Sequence, residues 1–379
     1  MHSNFTISRK DKYLKEAHVM EFFTDFINDA YSGKRTRKDG KRISSTTIAN
    51  YVHLQNLLTE FCQTSTFDFK IYLDANLSHQ EKTTAYRYYR KFYTSFTNYL
   101  YDSKGYFDNY VGLVIKELRC FFNYIEMERR IPIGSYHKSF FVPKEEIPII
   151  ALSVEQLNYI IYDEAYNALL KQKKREEIRD VFVFGCTVAL RISDLLQLTV
   201  KNLVVQNNNY YLRVKSQKTA TMTSIKLPDY AVELIKKYEG KYATLLPEMT
   251  PQWFNSQLKT VARLIPDNYE MIKVRERRGK QVVIYKDPIN KTHYQLSDHI
   301  TSHTMRRTAI TTMLNLGMPE HIVRKISGHA ANSREFYRYV QLAQQVIDAE
   351  SEKVFEQIKQ FNQPTSRKRV KSDNITTRK

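Results

Sequence analysis

The sequence predicts a mostly α-helical protein of two domains, with a small β-sheet in the second. Three observations carry this. Apolar residues recur at helical spacing through roughly the first third of the chain. Two short stretches, Tyr210 to Val214 and Thr223 to Leu227, alternate in the manner of strands. A proline-bearing stretch with little apolar periodicity separates these two regions. The 379 residues suffice for two hydrophobic cores, and only ten Gly and ten Pro argue against a loop-rich or sheet-dominated fold.

Each element has its own signal. Residues 1–16 are an N-terminal extension without an apolar core, so no secretory leader is expected. Residues 17–135 read as a helical domain. There, Ser44, Ser45 and Thr46 offer caps to a helix with Ile48, Tyr51, Gln55, Leu58 and Cys62 along one stripe. A second run carries Tyr89, Phe92, Phe96, Tyr99 and Leu100, and a third carries Val114, Leu118, Phe121, Phe122 and Ile125. The basic stretch Lys34 to Arg42 turns at Gly40 and reads as an exposed loop. Pro132, Pro143 and Pro148 break helical continuity before a linker at 136–152. Ser153 and Gln156 then form a capping box that opens a second domain, 153–345. Inside it, Ile178 to Leu198 reads as helix, turn, helix. Lys218 falls in the turn between the two strands, a hairpin is expected around Gly279, and helices follow at Pro251–Leu264, around His303, and at Pro319–Ile326. Residues 346–379 form a C-terminal helix and a polar, basic tail.

Charge narrows the partner. Lys and Arg number 59 against 40 Asp and Glu, a net charge of +19. A polyanion, nucleic acid first, is the expected partner. No run is long enough to span a bilayer, so no membrane partner is expected. Cys62, Cys120 and Cys186 form no CxxC pair and suit buried free thiols in a reducing compartment. A cytoplasmic, nucleoid-associated protein is the expectation.

The chemistry gathers near the end of the second domain. His303 and Arg306 lie three apart and share a helix face. Gly328-His329 follows at a helix end, then Tyr337 and Tyr339. Guanidiniums grip phosphate oxygens, imidazoles move protons, and a phenol can act as a covalent nucleophile. Upstream, the segment LRISDLLQL places Arg191 and Asp194 after an apolar run. Singly, each residue has a plain structural reading: a cap, a solvated lysine, a packed tyrosine. His299 and His303, four apart, lack a third ligand at zinc-site spacing.

With Arg191 and Asp194, Lys218 in a hairpin turn, His303 with Arg306, Gly328-His329 and a following tyrosine, the chain resembles the tyrosine recombinase (phage integrase) family. The ordered set carries the resemblance over about residues 153–345. It implies a helical core-DNA-binding domain and a mixed α/β catalytic domain that form a clamp on double-stranded DNA. It implies site-specific cutting and rejoining through a 3′-phosphotyrosyl bond, for integration, excision or inversion, as in mobile elements. In that reading Arg191 and Arg306 hold the attacked phosphate, Lys218 protonates the leaving oxygen, and His303 assists the nucleophile. His329 hydrogen-bonds the phosphate. No cofactor or metal is implied, because two arginines fill that role. The resemblance also implies a homo-oligomer, a tetramer on paired sites. The extension is too short for a folded arm-binding domain of the kind some integrases carry. The family's tyrosine usually falls nine residues after the histidine, where Arg338 stands. Tyr339 is the preferred nucleophile through its Phe336-x-x-Tyr339-Val340 setting, with Tyr337 as the alternative. A catalytically inactive DNA-binding relative and a type IB topoisomerase-like DNA-relaxing enzyme remain open at this point.

Overall fold

The computed structural model describes residues 16–65, 67–173, 175–215 and 222–361. The expected basic tail and nearly all of the 1–16 extension lie outside them. The chain forms two compact units. One is built from the chain up to Ile147 plus Ile272–Pro288, the other from Pro148–Met271 plus the chain from Ile289 onward. The fold is mostly helical with small sheets. No helix among the described residues is long and apolar enough to cross a membrane.

The first unit holds β1 (Glu16–His18), α1 (Val19–Ser32), α2 (Ser45–Ser65), β2 (Lys70–Tyr72), α3 (His79–Asn98) and α4 (Asp108–Asn123), with β1 and β2 antiparallel. Its core is aromatic. Phe23 stacks on Phe121 with ring centroids 4.0 Å apart, and Phe69 stacks on Phe92 at 3.9 Å. Such pairs add to the area that they bury. Helix α3 starts from a capping box of Ser78 and Glu81 and buries Tyr89, Phe92 and Phe96; Tyr99 and Leu100, in the wide turn that ends it, are buried too. The buried stripe of α2 differs from the one read from sequence. It runs through Ile48, Tyr51, Leu54, Leu57, Leu58 and Phe61, while Gln55 and Cys62 are only partly covered. Leucine and phenylalanine gain more from burial than an amide or a thiol, and they set the helix's rotation.

A hairpin of Lys273–Arg277 and Lys280–Ile284 completes this unit, although its sequence neighbours lie in the other. Its two-residue turn, Arg278-Gly279, has positive φ at both positions, 54° and 70°. Two buried carboxylates receive it. Asp108, at the start of α4, accepts the backbone N–H groups of Arg278 (2.7 Å) and Gly279 (2.8 Å) and the Tyr101 hydroxyl (2.8 Å). Glu145 accepts Arg275 through Nε (3.0 Å) and Nη2 (2.6 Å), and the Glu276 N–H (2.6 Å). Phe107 carries the guanidiniums of Arg275 and Arg277 against its ring, at 4.9 and 5.0 Å.

The second unit opens with α5 (Val154–Tyr162), capped by Ser153 and Gln156 as the sequence indicates. It continues through α6 (Glu164–Gln172), α7 (Glu176–Val188) and α8 (Ile192–Leu195). A three-stranded antiparallel sheet follows: β3 (Leu203–Gln206), β4 (Asn209–Lys215) and β5 (Met222–Lys226). Then come α9 (Asp229–Tyr238), α10 (Pro251–Ala262), α11 (Leu296–His299), α12 (Ser302–Asn315), α13 (Glu320–Ser327) and α14 (Arg334–Phe361). Helix α7 is buried along nearly its whole length and packs on α12. Its Asp180, fully buried, is matched by Lys237 Nζ and the Tyr238 hydroxyl, each at 2.6 Å. Helix α14 begins at Arg334, twelve residues before the C-terminal helix expected from residue 346. Ser333 Oγ accepts the Phe336 N–H at 3.3 Å, and Phe336, Tyr339 and Ala343 bury one face of its first turns.

One glycine tests the packing of the first unit. Gly112 of α4 lies against the Pro143 backbone, and a methyl group there would run into the Pro143 carbonyl oxygen. Gly112→Ala is expected to destabilise this unit by ~1–3 kcal/mol, the usual range for overpacking. Denaturant unfolding checks it; an unchanged midpoint would mean that α4 moves away freely.

Candidate active site

The site is built where α7, α12 and α13 end or begin near one another. Gly185 of α7 leaves no room for a Cβ, because the fully buried side chain of Met305 on α12 occupies that space. This close approach sets α12, and with it His303 and Arg306, against the end of α7. The chain leaves α7 through Ala189 in the left-handed region, φ 54°. An L-residue there costs ~1–2 kcal/mol. Its methyl group is wholly buried in a cluster with Ala309, Ile310 and Phe336. The turn delivers Arg191 to the start of α8 in extended conformation, ahead of the buried Asp194.

Arg306 is buried, and its guanidinium is anchored by two helix ends. Nη1 donates to the Ala189 carbonyl just past α7 (2.9 Å), and Nη2 donates to the Ser327 carbonyl at the end of α13 (2.6 Å). Helix C-termini carry partial negative charge, which offsets part of the cost of burying a cation. Even so, desolvation and the nearby Arg191 lower its pKa to about 10. Gly328 follows α13 at φ 63°, and the His329 N–H turns back to the Arg324 carbonyl at 3.1 Å. Here the glycine of the Gly-His pair has a geometric reason, since a left-handed residue ends the helix and brings the histidine back against Arg306. Burial, with Arg306, Arg191 and Arg324, pushes His329 down to about 3. His303, on the open side of α12, is also lowered, by desolvation and then by Arg307, with Arg306 and Arg191 adding. Both imidazoles are therefore neutral at pH 7.

The two candidate tyrosines separate on α14. Residues two apart on a helix point to opposite faces. Tyr339 is buried, its ring 6.0 Å from that of His329. Its hydroxyl pairs with Arg307, and the charge of Arg306 also favours its anion; desolvation and Glu335 outweigh both and raise its pKa. Tyr337 is half exposed, its ring beneath the Arg324 guanidinium at 5.3 Å.

Arg191, His303, Arg306, His329 and Tyr339 therefore gather in one unit. Lys218 lies outside the described residues. The structure adds Arg307, Ser327, Ala189 and Gly185 to the set. Arg307 was signalled only by an Arg-Arg doublet, and Ser327 only by its place before the Gly-His pair. Together the groups offer two guanidiniums for an anion, two neutral imidazoles for proton exchange, and a phenol.

Comparison with known proteins bears on the fold. Residues 159–346 match the model of the phage integrase family. Among solved structures, a lambda integrase dimer bound to a COC′ core site is similar, with 11% identity and a TM-score of 0.56 over 88% of this chain and 83% of that one. A second lambda integrase dimer on a COC′ core site shares 12% identity at a TM-score of 0.51, over 84% and 94%. A Tn1549 transposon integrase in complex with transposon right end DNA shares 16% identity at a TM-score of 0.50, over 85% and 94%. At such identities the likeness shows the fold alone. No curated protein matches the chain.

The histidine shift has a consequence for stability. His329 falls from 6.5 to about 3 on folding, so between these values the unfolded chain binds more protons. Stability must then rise with pH across this window and be lost as pH falls. His329→Gln removes that contribution. Thermal unfolding from pH 7 to pH 4 should show a shallower decline in the variant; equal slopes would mean that the imidazole is not held neutral.

Proposed function

Through residues 159–346 the chain belongs to the phage integrase family of tyrosine recombinases, and we propose that it is a site-specific DNA recombinase. It cuts and rejoins duplex DNA through a 3′-phosphotyrosyl intermediate, for integration, excision or inversion. The observation that carries the reading is the gathering of Arg191, Arg306, His303 and His329 around Tyr339 within one unit.

The Tyr339 oxygen attacks a backbone phosphorus, the bond to the 5′-oxygen breaks, and a 3′-phosphotyrosyl link remains. His303 accepts the phenol proton, and Lys218 supplies one to the leaving oxygen. Arg191 and Arg306 hold the non-bridging oxygens, where negative charge grows in the transition state. Two of the five guanidinium N–H groups of Arg306 are engaged with carbonyls, which leaves three for phosphate. His329, once it takes a second proton, hydrogen-bonds the same phosphate. The link conserves the energy of the cut bond, so rejoining needs no ATP, cofactor or metal. Residues 17–135, completed by the hairpin of 273–284, serve as a core-DNA-binding domain, and the rest of 153–345 as the catalytic domain. The net charge of +19 gives a salt-dependent grip on double-stranded DNA. The protein works in the cytoplasm, at the nucleoid.

Assembly on paired sites as a homo-tetramer is part of this reading. Its support is α14, which exposes Val354, Phe355 and Ile358 far beyond its buried first turns. Truncation at Ala349 should weaken cooperative binding to paired sites more than binding to a half-site. Equal loss at both would assign the helix to its own unit.

Covalent capture tests the chemistry. A library of nicked duplexes selects its own target and traps the adduct. Tyr339→Phe should bind DNA and form no adduct, whereas Tyr337→Phe keeps activity. Arg191→Ala and Lys218→Ala should slow cleavage ~10²–10³-fold with affinity retained. Arg306→Ala also orphans two carbonyls, so it should lose stability as well as rate. Binding without any adduct from the wild-type protein would sink the reading. An adduct mapped to Tyr337 would move the nucleophile and leave the reaction class intact.

A further inference from the structure

Ser327, the last residue of α13, touches two members of the site with two different groups. Its carbonyl accepts Arg306 Nη2 at 2.6 Å. Its hydroxyl lies 2.8 Å from His329 Nδ1 and 2.7 Å from the Val323 carbonyl, with the Arg324 carbonyl at 3.3 Å. The side chain is buried.

A hydroxyl has one proton to give. The Val323 carbonyl can only accept, and an oxygen pair at 2.7 Å without a proton between them would be repulsive. The Ser327 proton therefore goes to Val323. The contact with His329 must then be a bond donated by the imidazole, Nδ1–H to Oγ. The other side of the ring agrees. Arg306 Nη2 stands 3.5 Å from Nδ1 and 3.3 Å from Nε2. A point nearly equidistant from both nitrogens lies over the ring face, since in the plane it would collide with the carbon between them. The guanidinium thus covers the ring without capturing either nitrogen's in-plane position, and its charge disfavours a second proton.

We propose that Ser327 is a positioning residue of the cleavage site: its hydroxyl fixes His329 with the proton on Nδ1, so that Nε2 is the one atom through which this imidazole exchanges protons, while its carbonyl holds Arg306. The inference rests on the cleavage reading above and deepens it. A neutral ring in this tautomer accepts at Nε2. A donor role toward a phosphate oxygen requires a second proton, and Ser327 directs that proton to Nε2.

The test uses the full-length protein labelled with ¹⁵N-histidine, with His329 assigned through His329→Gln. Two-bond ¹H–¹⁵N correlations at pH 7 should show Nδ1 protonated and Nε2 bare. Ser327→Ala should shift the ring toward the Nε2–H form, and Ser327→Thr should restore the original pattern. Adduct formation should fall about 10²-fold in Ser327→Ala, the scale of a small misplacement, recover in Ser327→Thr, and leave gel-shift affinity unchanged. An Nε2–H ring in the wild type, or an unchanged pattern in Ser327→Ala, overturns the proposal. So does wild-type cleavage by Ser327→Ala after the tautomer has changed. If Ser327→Ala does not fold, the wild-type pattern and Ser327→Thr still decide the tautomer. The expected tautomers in a protein that cleaves no duplex would uphold the Ser327–His329 assignment and refute the recombinase reading instead.

Discussion

The guanidinium of Arg306 holds the second unit's chemistry together. It lies inside the protein and takes the carbonyls that follow α7 and close α13. Each of these two helix ends leads directly into another member of the site, Arg191 after the first and His329 after the second. A single buried cation thereby brings three separate segments into register. The arrangement exists because Gly185 lets α12 approach α7 through Met305, and because Ala189 accepts a left-handed turn whose cost its buried methyl group helps to offset. Larger residues at either position would move Arg306 away from its carbonyls before they touched any reacting group.

The resting site is electrostatically poised. Desolvation, reinforced by the neighbouring arginines, keeps both imidazoles neutral, and desolvation also raises the Tyr339 phenol. In the proposed reaction this leaves His303 able to take a proton and Tyr339 still holding the one it would lose. A phosphate arriving among these cations changes the field that maintains this condition. Under the proposed function, the substrate would itself supply part of the electrostatics of the reaction.

Much of this was legible from the chain because local chemistry writes itself locally. The capping box at Ser153 and Gln156, the aromatic run from Tyr89 to Leu100, and the hairpin at Gly279 all follow from short-range patterns, and the structure contains each. The family resemblance followed from motif order, and the mostly helical fold from apolar periodicity. Tertiary detail was not legible. The face of α2 was set by leucines competing with Gln55 and Cys62, a contest only packing resolves. The start of α14 at Arg334 depends on a cap from Ser333 and a buried face against α12. Ser327 is marked in the sequence only by its place before the Gly-His pair, because its proposed role lies in which partner receives its hydroxyl proton. Lys218, plain in the sequence, sits where the structure describes nothing.

The hairpin at 273–284 has a consequence for how the chain is made. Synthesis runs from the N-terminus, and domains emerging first tend to fold first. The first unit, however, buries Asp108 and Glu145, and their partners Arg275, Glu276, Arg278 and Gly279 are translated more than a hundred residues later. Once the residues up to Ile147 have cleared the exit tunnel, the bundle carries two carboxylates that have yet to meet these partners. Those carboxylates must stay hydrated, and that end of the bundle unfinished, while most of the second unit's sequence passes through the exit tunnel. The last step of folding the first half of this protein is therefore timed by the synthesis of the second.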